Sequence, residues 1–157
     1  ESVMAMFQQA ARQAPNNADV QTVLGVMAHI TRDYEQAVNA FRRAATLRPD
    51  DHSLWNKVGA TLANGADSAD AVAAYRRALD IKPNYVRAWS NMGISYANQG
   101  RYAESLPYYL RALSMNPSHD SPTWGYVRIS LGCTGRLDLM PRVDAHDVTA
   151  LQREFPL

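Results

Sequence analysis

Apolar residues recur along this chain with the spacing of paired α-helices. In residues 52–85, Trp55, Val58, Gly59 and Leu62 fall at i, i+3, i+4 and i+7 and so share one face of a first helix. Asn64-Gly65 follows and predicts a helix end, since glycine tolerates positive φ. Ala71, Tyr75 and Ala78 then fall at i, i+4 and i+7 on a second helix. Pro83 closes the unit, because proline has no N–H to continue a helix and restrains the residue before it.

The unit repeats. Gly25, Gly59 and Gly93 are evenly spaced (59 − 25 = 93 − 59 = 34), as are Ala37, Ala71 and Ser105. Phe41, Tyr75 and Tyr109 keep the same period, and so do Ala44, Ala78 and Ala112. Pro15, Pro49, Pro83 and Pro117 mark its ends. This period, with this arrangement of Trp, Gly, Ala, aromatic and Pro, is the tetratricopeptide repeat (TPR) pattern. The predicted fold class is all-α, a TPR superhelix built as a helix–turn–helix array. Gly59 and Ala71 are expected to let the two helices of a unit approach closely, with Trp55 and Tyr75 filling the space around them.

In chain order, residues 1–15 predict only the second helix of a truncated repeat. There Val3, Phe7 and Ala10 stand where Ala71, Tyr75 and Ala78 stand two periods later. A lone second helix leaves an apolar face uncovered, so upstream repeats are expected and the chain reads as a fragment. Whole repeats follow at 18–51, 52–85 and 86–119. In the first of these, Val20, Val23, Leu24, Val26, Met27 and Ile30 supply the apolar positions, and Gln21 replaces the tryptophan. In the third, Pro107 sits inside the second helix; it is tolerable if the helix starts only a turn earlier, and a kink otherwise. After Pro117 the period fails, with Trp124 one place late. Residues 120–157 are expected to form C-terminal capping helices: one over 122–133, a loop over Leu137–Val143 around Pro141, and a last helix from Asp147 to Phe155.

Composition narrows the function. The chain has 157 residues, 46% hydrophobic and 20% charged, which is ordinary for a folded protein. Its net charge of +1 gives no polyanion-binding signature, so nucleic acid is not an expected partner. No apolar run is long enough for a membrane span. The single Cys133 excludes an internal disulfide and is expected to be packed. His29, His52, His119 and His146 show no metal-ligand spacing and read as ordinary helix or loop residues, and no acid/base pair argues for catalysis. The expectation is a non-enzyme with no cofactor. Arg42-Arg43 and Arg76-Arg77 recur on second helices and read as solvated faces.

Candidate chemistry lies on the first helices, which line the concave side of such arrays. Asn56, Lys57, Asn64, Arg87, Asn91 and Asn98 fall outside the packing positions. Asn56 and Asn64 are eight apart and Asn91 and Asn98 seven apart, so each pair lies two turns apart on one side of its helix. A side-chain amide carries both donor and acceptor, so a row of them can pair with the backbone of an extended peptide. Arg87 and Lys57 add cations suited to a peptide C-terminal carboxylate. The same residues have blander readings. Asn64 precedes Gly65 and also reads as a helix end, and Arg87 as a solvated charge. Asn56 and Asn91 sit inside helices, where asparagine has poor propensity, which favours a specific role.

LWNKVGATLANG, followed by AVAAYRRALDIKPNYVRAWSNMGISYANQG, closely resembles the last repeats of the peroxisomal targeting signal type 1 receptor (peroxin 5) family, and DAHDVTALQREF resembles that family's C-terminal helix. The resemblance covers essentially the whole chain. It implies an import receptor whose repeats surround a C-terminal tripeptide of Ser-Lys-Leu type on peroxisomal or glycosomal matrix proteins, cytoplasmic and cycling to the organelle membrane, with docking proteins engaged through parts outside this chain. The family's peptide-binding asparagines and arginine match Asn56, Asn64, Arg87, Asn91 and Asn98; Lys57 is added on electrostatic grounds. Ser121 is the nearest equivalent of a serine that the family carries before its C-terminal helices. The family has seven repeats in two groups, and only the second group is matched here, so the chain is expected to hold half a site. An uncapped array end can pack on a neighbouring chain, which makes self-association a further expectation.

Two other readings compete. A co-chaperone clamp for acidic tails needs Lys or Arg on consecutive first helices, and the first helix of repeat 18–51 has none. An asparagine ladder of the kind found beside glycosyltransferase domains needs Asn at one position in every repeat, and Val23 stands where Asn91 would be.

Overall fold

The structure, a computed structural model, describes residues 2–118 and 121–157, so His119 lies outside the described residues. All the regular structure among them is helical, as the periodicity predicts. Two compact units meet in sequence at Pro83 and Asn84.

The first unit holds α1 (Val3–Gln13), α2 (Ala18–Ile30), α3 (Tyr34–Leu47), α4 (His52–Asn64) and α5 (Ser68–Ile81). Each helix starts on a side chain that accepts a backbone N–H: Ser2, Asn17, Asp33, Asp51 and Asp67. α2 packs on α3, and α4 on α5, through a shared device. A Cβ on Gly25 would lie 2.6 Å from the Phe41 ring, and one on Gly59 would lie 2.5 Å from the Tyr75 ring. Ala28, Ala37, Phe41, Val58 and Ala74 are buried together, with Trp55 and Leu62 against them. α1 closes on α2 and α3 through Ala11, Leu24 and Ala40, while Val3 and Met6 stay exposed.

The turn inside each repeat departs from the expected chemistry. Gly65 has a φ of −81°, and the left-handed residue is Ala66, with φ 67°. Arg32 (63°) and Gly100 (74°) hold the same place one repeat before and one repeat after. The reason is a recurrent hydrogen bond closing the turn: Asp33 N–H to Ala28 O, Asp67 N–H to Leu62 O, and Arg101 N–H to Tyr96 O, at 2.8–3.0 Å. That closure requires one left-handed residue one place before the donor, whatever its side chain.

One further expectation for the first unit is corrected. Arg77 is exposed but not merely solvated: its guanidinium lies 4.2 Å from the centre of the Trp55 ring. Gln21, in the tryptophan place, is fully buried; its Nε2 donates to Pro15 O at 3.2 Å, and its Oε1 has no partner among the described residues.

The second unit holds α6 (Val86–Asn98), α7 (Tyr102–Met115), α8 (Thr123–Cys133), a 3-10 turn (Leu137–Leu139), α9 (Met140–Asp144) and α10 (Val148–Glu154). Gly93 repeats the close approach, with a Cβ 2.5 Å from the Tyr109 ring, and Arg111 lies over Trp89 at 5.6 Å. α7 starts at Tyr102, more than a turn before Pro107, and continues through it, giving up the bond that an N–H there would make. Leu106, Tyr109, Leu110 and Leu113 of α7 pack with Trp124, Val127 and Leu131 of α8 and with Leu139, Val143 and Leu151. Those last residues correct the loop expected over Leu137–Val143. Leu139 and Val143 are one helical turn apart and both face the core, and Pro141 stands in the first turn of α9, where no N–H is needed. Cys133 is exposed at the end of α8 rather than packed, because Val127 and Leu131 define the buried face of that helix.

Candidate functional site

The sequence-predicted site residues fall on two first helices, one in each unit. α4 carries Asn56, Lys57 and Asn64; α6 carries Arg87, Asn91 and Asn98. On α4, Leu54, Val58 and Thr61 are buried, which leaves Asn56 and Lys57 half-buried and Asn64 exposed at the last turn. The two asparagines stand about 12 Å apart along the axis. On α6, Ala88, Met92 and Ser95 are buried, Asn91 is half-buried, and Arg87 and Asn98 are exposed. Asn98 occupies the repeat position of Asn64 and has the same exposure. Asn56 and Asn91 already have interactions within the protein, so a ligand would share or replace them.

Asn64 is held from the preceding repeat. Its Nδ2 lies 3.1 Å from His29 Nε2, and His29 Nδ1 lies 3.1 Å from Thr61 Oγ1. The Thr61 hydroxyl donates back to Lys57 O at 2.8 Å. Tyr34 meets the His29 ring edge-on, with centroids 5.6 Å apart. From the sequence, His29 reads as ordinary. A signal was there: Ala63 and Ala97 occupy the same repeat position, so His29 is a departure from the repeat at the end of a first helix.

The remaining candidates have local roles. Ser121 accepts from Thr123 N–H at 3.3 Å and its carbonyl accepts from Trp124 N–H, so it shapes the start of α8. His146 stacks on Trp124 at 4.5 Å. No cluster of His, Cys, Asp and Glu among the described residues could hold a metal, and no helix among them is long and apolar enough to cross a membrane.

The tetratricopeptide repeat family matches residues 5–52 and 86–119, and a TPR repeat family matches residues 68–100. The chain therefore carries TPR repeats in an all-helical array. No curated protein matches it. Among solved structures, "Crystal structure of MamA" is similar over 96% of this chain and 87% of that one, with 14% identity and a TM-score of 0.82. "MamA AMB-1 C2221" is similar over 72% of this chain and 66% of that one, with 26% identity and a TM-score of 0.66. "MamA MSR-1 C2" is similar over 73% and 66%, with 24% identity and a TM-score of 0.67, so the chain spans about two thirds of its length. What these findings define is a tetratricopeptide protein-interaction module.

Proposed function

We propose that this module binds the C-terminus of an extended peptide, of the Ser-Lys-Leu type that directs proteins to peroxisomes or glycosomes, and serves as part of an import receptor that cycles between the cytoplasm and the organelle membrane. Asn56, Asn64, Asn91 and Asn98 would pair with the peptide backbone, and Arg87 and Lys57 would attract its carboxylate. The observation that carries this reading is the placement of four asparagines on first helices, off their buried faces, with Lys57 on α4 and Arg87 on α6. A hydrogen bond involving a charge contributes about 1.5–3 kcal/mol, and micromolar binding needs about 8 kcal/mol, so several such contacts must act together.

A second reading is a TPR interaction module for a different protein partner. The structural likeness to MamA favours it in general terms, since that likeness carries the array and not the peptide.

Fluorescence anisotropy of a labelled peptide ending in Ser-Lys-Leu separates the two. The import reading expects saturable binding, abolished by amidating the peptide C-terminus and weakened by Asn91→Ala. If neither this chain nor one extended by upstream repeats binds the peptide, the import reading fails and the general module remains.

A further inference from the structure

The His29 ring stands between two groups of the candidate site helix. On one side, Thr61 is fully buried, and its hydroxyl proton is committed to Lys57 O at 2.8 Å. Towards His29 Nδ1, 3.1 Å away, that oxygen can therefore only accept. Nδ1 must then carry the ring proton. A neutral ring protonated at Nδ1 has a lone pair at Nε2, so Nε2 accepts and Asn64 must present an N–H to it, across 3.1 Å. The donors and acceptors run one way: Asn64 Nδ2–H to His29 Nε2, His29 Nδ1–H to Thr61 Oγ1, Thr61 Oγ1–H to Lys57 O.

We propose that His29 is a positioning residue that sets the polarity of the Asn64 amide. It draws one N–H of that amide to the ring and leaves the carbonyl oxygen for a partner, so Asn64 offers a bound peptide an acceptor for a backbone N–H. This deepens the reading of Asn64 as a peptide contact and rests on it. The reverse arrangement, with the ring proton on Nε2, would consume the Asn64 carbonyl and turn its N–H groups outward. It would also take the Thr61 proton away from Lys57 O. The device belongs to one repeat only: Ala63 stands at the corresponding position of the next, so nothing of this kind precedes Asn98 in sequence.

The test begins without any ligand. Long-range proton–nitrogen spectra of the labelled chain should place the His29 proton on Nδ1, and His29→Ala should shift the Asn64 side-chain amide signals. Alanine occupies this place in the next two repeats, so the variant keeps a residue that the fold accepts. A proton on Nε2, or Asn64 signals that do not move in the variant, would overturn the proposal. The second arm titrates the peptide ending in Ser-Lys-Leu. His29→Ala should weaken binding about fivefold, the size of effect expected from one neutral hydrogen bond. Adding His29→Ala to Asn64→Ala should cost nothing more, and independent, additive losses would sink the coupling. Should neither the unaltered chain nor a longer one carrying added repeats bind this peptide, the import reading falls, and the ring proton's location still decides the role of His29.

Discussion

The Tyr75 ring occupies the space that a side chain on Gly59 would need: a Cβ there would lie 2.5 Å from Cε1 and 2.6 Å from Cδ1 of the ring. Tyr75 is itself 2% exposed, so it has nowhere to move. Gly59→Ala is therefore expected to lose about 1–3 kcal/mol, and Gly93→Ala, facing Tyr109, a similar amount. Gly125, itself exposed in the first turn of α8, meets nothing within 4 Å of an added Cβ. Gly125→Ala should be neutral or gain up to about 1 kcal/mol from helix propensity. Urea unfolding midpoints compare the three variants directly. A Gly59→Ala protein as stable as the parent would refute the close-approach account.

The left-handed residue of the repeat turn offers a test of opposite sign. Ala66 and Arg32 hold φ 67° and 63° without being glycine, at a cost of about 1–2 kcal/mol each. Part of that is offset by the freedom glycine has in the unfolded chain. Ala66→Gly is expected to stabilise by about 0.5–1 kcal/mol, and Gly100→Ala to destabilise by about 1 kcal/mol. Thermal melts of the two variants should move in opposite directions.

Alkali should unfold the array through its second helices. Burial pushes the Tyr75 phenol up to about 12, and the Tyr109 phenol is raised by burial and then by neighbouring Tyr126. In the unfolded chain both lose their protons near pH 10. The native state thus holds protons that the unfolded state has released, so stability is fully present below about pH 10 and falls as pH rises toward 12. Tyr75→Phe should flatten that fall, and Phe41 at the corresponding place of the first repeat shows that phenylalanine fits the position. Denaturant midpoints measured from pH 8 to 12 check this; an unchanged slope in Tyr75→Phe would place the alkaline sensitivity elsewhere.

Much of the fold was legible from the chain alone, because the information is periodic. Gly25, Gly59 and Gly93 recur once per repeat against Phe41, Tyr75 and Tyr109, and each pair is a contact within one helix hairpin. A short-range pairing repeated three times leaves its mark in the order of residues. So do the candidate asparagines, since a residue's side of a helix follows from its number.

Tertiary structure decided what depends on one particular neighbour. Leu137–Val143 became a 3-10 turn and a short helix because Leu139 and Val143 find a core made by α7, α8 and α10. Cys133 was left exposed by the same choice of face. The left-handed turn residue proved to be Ala66 rather than Gly65, since a closing hydrogen bond and not side-chain preference selects it. His29 met Asn64 across 35 positions, through a stacking of one repeat on the next that no local pattern encodes. Periodicity sets which helices form and which faces they bury; the polarity of a single amide is settled only by the ring that three-dimensional packing brings beside it.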